Sequence, residues 1–303
     1  MELSGSSFAE RAVVCPLCGG AIHRWSSKKG RRGGLFHYDR CGECDFVFVN
    51  PRPTLQWLGR YYSENSSELP DRPEPMATPV PPARDSGLVR AIESMLGFRR
   101  PPGRFLDVGA GRGGFSHAAK MAGLDVTALE VDPQDVRMLQ AIGGLSVIPT
   151  TLEEFDEKPG SFDYVLMSHV LEHAHDPKQW IKKASMLLAP GGILAIMLPH
   201  FNSVYRFLVG TGDPYFFPPE HLNHFNRRSL GRQCTDCGLL EAGCRTETSF
   251  PSDVITKRVP MPNIIRWPVQ RLTAIASAMA GRVTSATGCG HVLIAHYKKR
   301  GGA

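Results

Sequence analysis

The segment PEHLNHF (219–225) brings Glu220, His221 and His224 together between a proline pair and a phenylalanine. An imidazole titrates near neutral pH and can take a proton from an acceptor or ligate a metal. His221-x-x-His224 has no third ligand close by in the chain, so acid/base chemistry is the expectation there and a metal centre is not. CPLC (15–18) and CGEC (41–44) form a C-x2-C-x22-C-x2-C pattern. Short turns of this kind aim two thiolates from each side at one point, which suits tetrahedral zinc held by Cys15, Cys18, Cys41 and Cys44. Four thiolates leave no open position, so the ion is expected to be structural and to supply folding energy to a segment with little apolar core. A third pair, Cys234 and Cys237, follows helical spacing with Leu230 ahead of a glycine and reads as buried core.

A glycine loop, LDVGAGRGGF (106–115), follows a strand-like run, and Glu130 lies further on. Gly109-x-Gly111-x-x-Gly114 satisfies the dinucleotide fingerprint, which keeps a nicotinamide-dependent oxidoreductase in play. In either case glycines let the backbone approach a nucleoside, and a carboxylate after the second strand can accept hydrogen bonds from a ribose diol. Asp107, two residues before the first glycine, gains nothing beside a pyrophosphate and much beside a cation. S-adenosylmethionine carries an ammonium and a sulfonium.

These groups need a scaffold, and the chain shows three zones. Residues 12–62 carry the cysteine pairs and aromatics and read as a zinc-ribbon-like module; 63–87 are rich in proline and polar residues and read as a linker. From 88 to 303 strand-like runs alternate with helical patterns, the signature of an α/β fold with a mainly parallel sheet. Strands are expected at 104–109, 124–131, 164–168, 193–199 and 291–299. Helices are expected at 114–123 and from Pro177 to about Leu188, the latter stopped by the Ala-Pro-Gly-Gly turn at 189–192. Residues 250–285 read as a helical lid or insertion, with Leu272, Ile275, Ala276, Met279 and Val283 on one face.

At this point the chain resembles the class I S-adenosylmethionine-dependent methyltransferases. LDVGAGRGGF is similar to that family's first motif, ALEVDP to its second, FDYVLMSHVLEHAHDP to its fourth-strand block and LLAPGGILAIMLP to its fifth. The resemblance implies a Rossmann-like seven-stranded sheet. It places Asp107, Gly109 and Gly111, with Ala110 between them, at the methionine part, and Glu130, followed by Val131, at the ribose. It also implies Leu152 and Glu153 at the adenine, and Ser168 and His169 lining the pocket near the sulfonium. His173 and His175 are expected to shape the turn before Pro177. The Glu220–His221 pair, together with an N-terminal cysteine module, is similar to that of zinc-containing sugar C-methyltransferases. Those enzymes carry a further C-terminal domain, which a chain of this length is not expected to contain.

Methyl transfer from a sulfonium is an in-line displacement, so alignment is required, and a base wherever the acceptor is a hydroxyl or an acidic carbon. His221 is the expected base, with His224 and His200 as rivals. The expected acceptor is a small molecule such as a sugar nucleotide, a glycoside or another secondary metabolite, with O- and C-methylation both open. Residues 19–40 hold six cations against the single Asp39. That imbalance suits an anionic acceptor and leaves a nucleic-acid methyltransferase as the alternative, although no aromatic-basic interleaving accompanies it. The composition, 42% apolar and 21% charged with a net charge of +6, is that of an ordinary globular chain. No apolar run is long enough to span a membrane and the first residues do not read as a signal peptide, so a cytoplasmic protein is expected, with its eight cysteines as thiols or metal ligands.

Overall fold

The computed structural model describes residues 8, 9, 11–31, 33–65, 92, 93, 97, 103–248 and 279–301. The apolar runs after residue 103 form β4 (Arg104–Val108), β5 (Asp125–Leu129), β6 (Ser146–Ile148), β7 (Phe162–Ser168) and β8 (Leu188–Pro199), followed by β10 (Leu239–Glu247) and β11 (Val292–Lys299). Their order in one seven-stranded sheet is β10-β11-β8-β7-β4-β5-β6. β4 runs parallel to β5 and β7, and β11 is antiparallel to both β8 and β10. The order reverses between β4 and β7, and a crevice beyond the strand carboxyl ends at such a point is where open α/β sheets bind ligands. This is the Rossmann-like sheet of class I methyltransferases.

Local chemistry sets the helices between these strands. Asp132 caps the helix Pro133–Ile142 by accepting from the backbone N–H of Gln134 (2.9 Å), and Asp176 caps Pro177–Leu187 by accepting from that of Gln179 (3.1 Å). The latter helix ends at Leu187 and the chain enters β8 directly, so residues 189–192 belong to the strand where a separate turn was expected. The segment LLEAGCRTE, which showed no strand pattern, forms the edge strand β10; its sparse burial explains the silence. Leu230 and Cys234 are fully buried on the helix Arg227–Asp236, as their spacing indicated.

A second, four-stranded sheet has the order β1-β2-β3-β9. β1 (Ile22–Lys29), β2 (Leu35–Cys41) and β3 (Val47–Val49) come from the cysteine segment, whereas β9 (Asn223–His224) comes from PEHLNHF. The cores are shared as well. Phe46 and Phe48 join the main cluster with Phe225, Leu230 and Cys234, and Tyr38, Trp57 and Tyr61 pack with Phe201, Phe216 and Leu222. The segment's shortage of core residues is thus met by the rest of the chain as well as by any metal. The helix Leu55–Asn65 runs into the stretch expected as linker, and 66–87 lie outside the described residues. So do Leu272, Ile275 and Ala276 of the expected lid face. A helix over 279–286 exposes Met279 and Val283 and buries Thr284, so this part of the expected apolar face is turned outward. Among the described residues no helix is long and apolar enough to cross a membrane.

Candidate functional site

The cofactor end of the crevice is made at the tips of β4 and β5. Asp107 is 2% exposed and accepts a hydrogen bond from Ser116 Oγ (2.6 Å). Burial pushes its carboxyl up to about 6, with the Ser116 bond opposing and the nearby Glu130 charge adding to the rise. Gly109 has φ 66°, and a Cβ there would lie 2.6 Å from Val170 Cγ2. The glycine loop therefore presses against the turn that follows β7. Gly111, with φ 53°, has open space where a Cβ would point. Its N–H donates to Glu130 Oε2 (2.8 Å), while Glu130 Oε1 accepts from the N–H groups of Val131 (2.7 Å) and Asp132 (2.9 Å). Glu130 is thus fixed beside the loop with lone pairs remaining for a diol. Ala110 donates its N–H to Leu129 O (2.9 Å) between these glycines. Leu152 is buried in the core, and Glu153 accepts a hydrogen bond from Trp180 Nε1.

The other end of the crevice is made where two distant loops meet. Ser168 closes β7, and His169 follows with φ 52°, a left-handed conformation uncommon for a non-glycine residue and frequent at functional sites. A 3-10 turn then carries Leu171, Glu172 and His173. PEHLNHF is fastened to it: Leu222 N–H donates to Glu172 O (2.9 Å), and Asn223 Nδ2 donates to the carbonyls of Leu171, Glu172 and Ala174. The result sets His221 edge-on to His173, with ring centroids 4.7 Å apart. His221 Nδ1 donates to Tyr215 O (2.7 Å) and His173 Nδ1 donates to Glu220 O (2.9 Å). A carbonyl can only accept, so both rings carry a proton on Nδ1, and the neutral form of each has its lone pair on Nε2. Burial holds His221 well below the usual histidine range, with His173 and His224 adding to the effect, so it is neutral at pH 7. Beside His169, a cavity of about 690 Å³ is lined by Met197, Arg245, Thr246, Arg282 and Ile294.

Glu172 and His173 were not singled out from the sequence, where His173 read as part of a turn; their proximity to His221 arises only from this loop pairing. The other expected bases lie elsewhere. His224 sits in β9, fully buried against Phe216 with ring centroids 4.0 Å apart, and burial pushes it down to about 3. His200 donates through Nδ1 to Gly290 O (3.0 Å) and borders a separate groove with Asn202, Arg228 and Cys289. Glu220 turns away from His221 and accepts from Tyr61 Oη (2.6 Å), so the two do not form a dyad.

The cysteine segment reaches this end of the crevice. Arg52 donates to the carbonyls of Ala174 and His175 and to Asn223 Oδ1, and its guanidinium is pushed down to about 10 by burial. Arg31 stacks over Phe217 at 4.2 Å, and Lys28 lies near Asp213. Two of the cations in the basic stretch thus face the loop before PEHLNHF. The four sulfur atoms of Cys15, Cys18, Cys41 and Cys44 lie within 4.8 Å of one another, with Cys15–Cys44 at 3.6 Å and Cys18–Cys41 at 3.5 Å. Tetrahedral Zn–S bonds of about 2.3 Å require sulfurs about 3.8 Å apart, so the cluster fits that ion. Cys41 Sγ also accepts from the N–H groups of Glu43 and Cys44 (both 3.4 Å). No cysteine is in a disulfide.

Residues 83–241 match the family described as "Methyltransferase domain". A ubiquinone biosynthesis O-methyltransferase of Xanthomonas campestris is 36% identical over 133 residues, which cover 41% of this chain and 56% of that protein. The corresponding enzyme of Saccharophagus degradans is 39% identical over a stretch of the same length and coverage. The chain thus spans little more than half the length of these relatives. Among solved structures, a Burkholderia thailandensis 1,6-didemethyltoxoflavin-N1-methyltransferase with bound S-adenosylhomocysteine aligns with a TM-score of 0.51 at 16% identity, over 86% of this chain and 97% of that one. The [4+2]-cyclase SpnF aligns with a TM-score of 0.53 at 16% identity, over 83% and 98%. A cyclase and a methyltransferase on one fold show that the architecture alone does not select the reaction.

Proposed function

The chain belongs to the methyltransferase-domain family as a class I S-adenosylmethionine-dependent methyltransferase, and we propose that it methylates a hydroxyl of a small molecule, with His221 as the group that takes the acceptor proton. The observation that carries this reading is the His221 ring: Nδ1–H is held by Tyr215 O, so a neutral imidazole presents its Nε2 lone pair beside the turn that abuts the glycine loop. A base poised in this way favours an acceptor whose proton must leave, and the curated relatives are named as O-methyltransferases.

In this reading the S-adenosylmethionine ammonium pairs with Asp107, the ribose diol with Glu130, and the methyl group faces His169. As the acceptor oxygen attacks the methyl carbon, its proton passes to His221 Nε2, the C–S bond breaks and S-adenosylhomocysteine leaves. Arg282 lines the cavity, as does Arg245 with its ion-pair partner Glu247 (3.0 Å), and the surplus of one positive charge favours an acceptor carrying negative charge. Cys15, Cys18, Cys41 and Cys44 hold a structural zinc that keeps the N-terminal strands, and through Arg52 the acceptor loops, in place.

The test is calorimetry with S-adenosylmethionine and NAD, followed by measurement of S-adenosylhomocysteine release over a panel of hydroxylated small molecules. S-adenosylmethionine binding with acceptor-dependent release is the expected result. Turnover on amines alone, or NAD binding without S-adenosylmethionine binding, would overturn it.

A further inference from the structure

The loop after the 3-10 turn Gly210–Gly212 carries Tyr215, whose carbonyl accepts from His221 Nδ1 (2.7 Å). Which nitrogen of a histidine carries the proton is set by the hydrogen bond that the other one makes, so a base at Nε2 depends on where that carbonyl is held. Asp213 fixes it from two sides. Its side-chain Oδ1 accepts from the Tyr215 N–H (2.8 Å), and its backbone carbonyl accepts from the Phe216 N–H (3.0 Å). The peptide groups before and after the Tyr215 Cα are thereby both tied to one residue, and the second of them contains the carbonyl that His221 uses. A turn of this kind needs only a side-chain acceptor, which asparagine or serine supplies as well. A carboxylate is costlier to bury, and Asp213 is 2% exposed. Its charge is met by a different element. His291, the residue before β11, donates through Nε2 at 3.3 Å from both carboxylate oxygens. The same imidazole packs edge-on against the Tyr215 ring, with centroids 4.5 Å apart, and the His291 carbonyl accepts from the N–H of His200 just after β8 (2.8 Å). A line of contacts thus runs from the sheet through His291 and Asp213 to Tyr215 and the imidazole of His221.

We propose that Asp213 is a positioning residue for the base: anchored to the sheet by His291, it holds the Tyr215 carbonyl where it keeps the His221 proton on Nδ1, so that Nε2 can take the acceptor's proton. Asp213 acts through Tyr215 and not on the acceptor itself. Without it the Tyr215 peptide groups lose their shared anchor, and the imidazole is free to carry its proton on either nitrogen. A ring protonated on Nε2 has a donor where a base needs a lone pair. This rests on the base role given to His221 above and adds the residue that enforces it.

The experiment is nitrogen-15 NMR of the imidazoles in the full chain, which separates a ring protonated on Nδ1 from one protonated on Nε2. His221→Ala protein, which lacks one of the eleven histidines, identifies the signals. The unaltered protein should show His221 protonated on Nδ1 alone. Asp213→Ala should give a mixture of tautomers, with kcat lower by about 10²-fold, the cost of a misplacement of about 1 Å, and KM for S-adenosylmethionine unchanged. Asp213→Asn keeps an acceptor for the Tyr215 N–H, so it should restore the single tautomer and most of the turnover lost in the alanine protein. His291→Ala leaves Asp213 in place, removes only its anchor and should fall between the two. A single Nδ1 tautomer in both alanine variants, or in His291→Ala where Asp213→Ala does not fold, would overturn the proposal. So would a loss in Asp213→Asn as large as in Asp213→Ala, because the held carbonyl would then not be what matters. Persistence in His291→Ala beside a mixture in Asp213→Ala would overturn the anchoring by His291. Mixed tautomers with undiminished transfer to a hydroxyl would overturn the base role of His221 while leaving the link from Asp213 to its ring in place.

Discussion

The cofactor end of the crevice is made by one stretch, from Asp107 to Asp132, in which a strand, a glycine loop, a helix and a second strand follow one another. The acceptor end takes His169, Glu172 and His173 from the turn after β7, His221 from a loop much later in the chain, and Arg52 and Tyr61 from the N-terminal segment. The first is stiffened by backbone contacts between near neighbours, such as Gly111 N–H to Glu130 and Ala110 N–H to Leu129 O. The second depends on side chains that cross between elements far apart in sequence. The two ends should therefore fail separately, and the thiolate cluster should matter to one far more than to the other.

The largest expected effect is that of Cys41→Ser. Structural zinc contributes about 10–16 kcal/mol to the folding of zinc-finger peptides, and the variant should lose its ion and unfold at markedly lower temperature. Thermal unfolding with metal analysis checks this. If the comparison holds, whatever remains folded binds S-adenosylmethionine but no longer turns over. Equal loss of both would mean that the two ends form one cooperative unit.

His221→Ala removes the activating group itself, and turnover on the acceptor should fall about 10²–10⁴-fold with little change in cofactor affinity. Steady-state kinetics alongside calorimetry separates the two quantities, and near-normal turnover would remove His221 from the mechanism. Arg52→Ala leaves every site residue in place and removes the brace between the N-terminal segment and Asn223. Misplacement of about 1 Å costs on the order of 10²-fold, so turnover should fall by up to that factor while the cofactor still binds. A stopped reaction with intact metal content would assign Arg52 more than bracing.

Glu130→Ala tests the other end. Loss of charge-assisted hydrogen bonds to the ribose should weaken S-adenosylmethionine binding by about 1.5–3 kcal/mol, and unchanged affinity would place the ribose elsewhere. The smallest effect is one of pH. Asp107, with its carboxyl raised to about 6, is ionised above that value and neutral below it. A cationic ligand binds the ionised form, so cofactor affinity should be constant above pH 7 and fall by up to about tenfold per unit below 6. Calorimetry across that range checks the sign, and affinity that rises on acidification would separate Asp107 from the ligand's charge.

Each end left a different trace in the sequence. LDVGAGRGGF and the Glu130 that follows were legible because the left-handed backbone they need at Gly109 and Gly111 is met by glycines close together in the chain. The two CxxC turns were legible for the same reason. PEHLNHF announced its histidines but not their roles. His221 and His224 are three residues apart, yet one meets His173 on the turn after β7 and the other is stacked on Phe216, because β9 pairs with β3 from the N-terminal segment. The chain order left His221 without a neighbour, and the turn after β7 brings His173 beside it.

The amino-acid order by itself determined the alternation of strands and helices, the glycine loop with its carboxylates, and the thiolate pairs, since each is fixed by backbone geometry within a few residues. Only the tertiary structure decided which histidine meets the turn after β7, that Glu220 serves Tyr61, and that the N-terminal segment braces that turn. Those outcomes depend on contacts between elements far apart in the chain, such as Arg52 and Asn223 at 171 positions, and a contact of that span leaves no spacing in the chain to read.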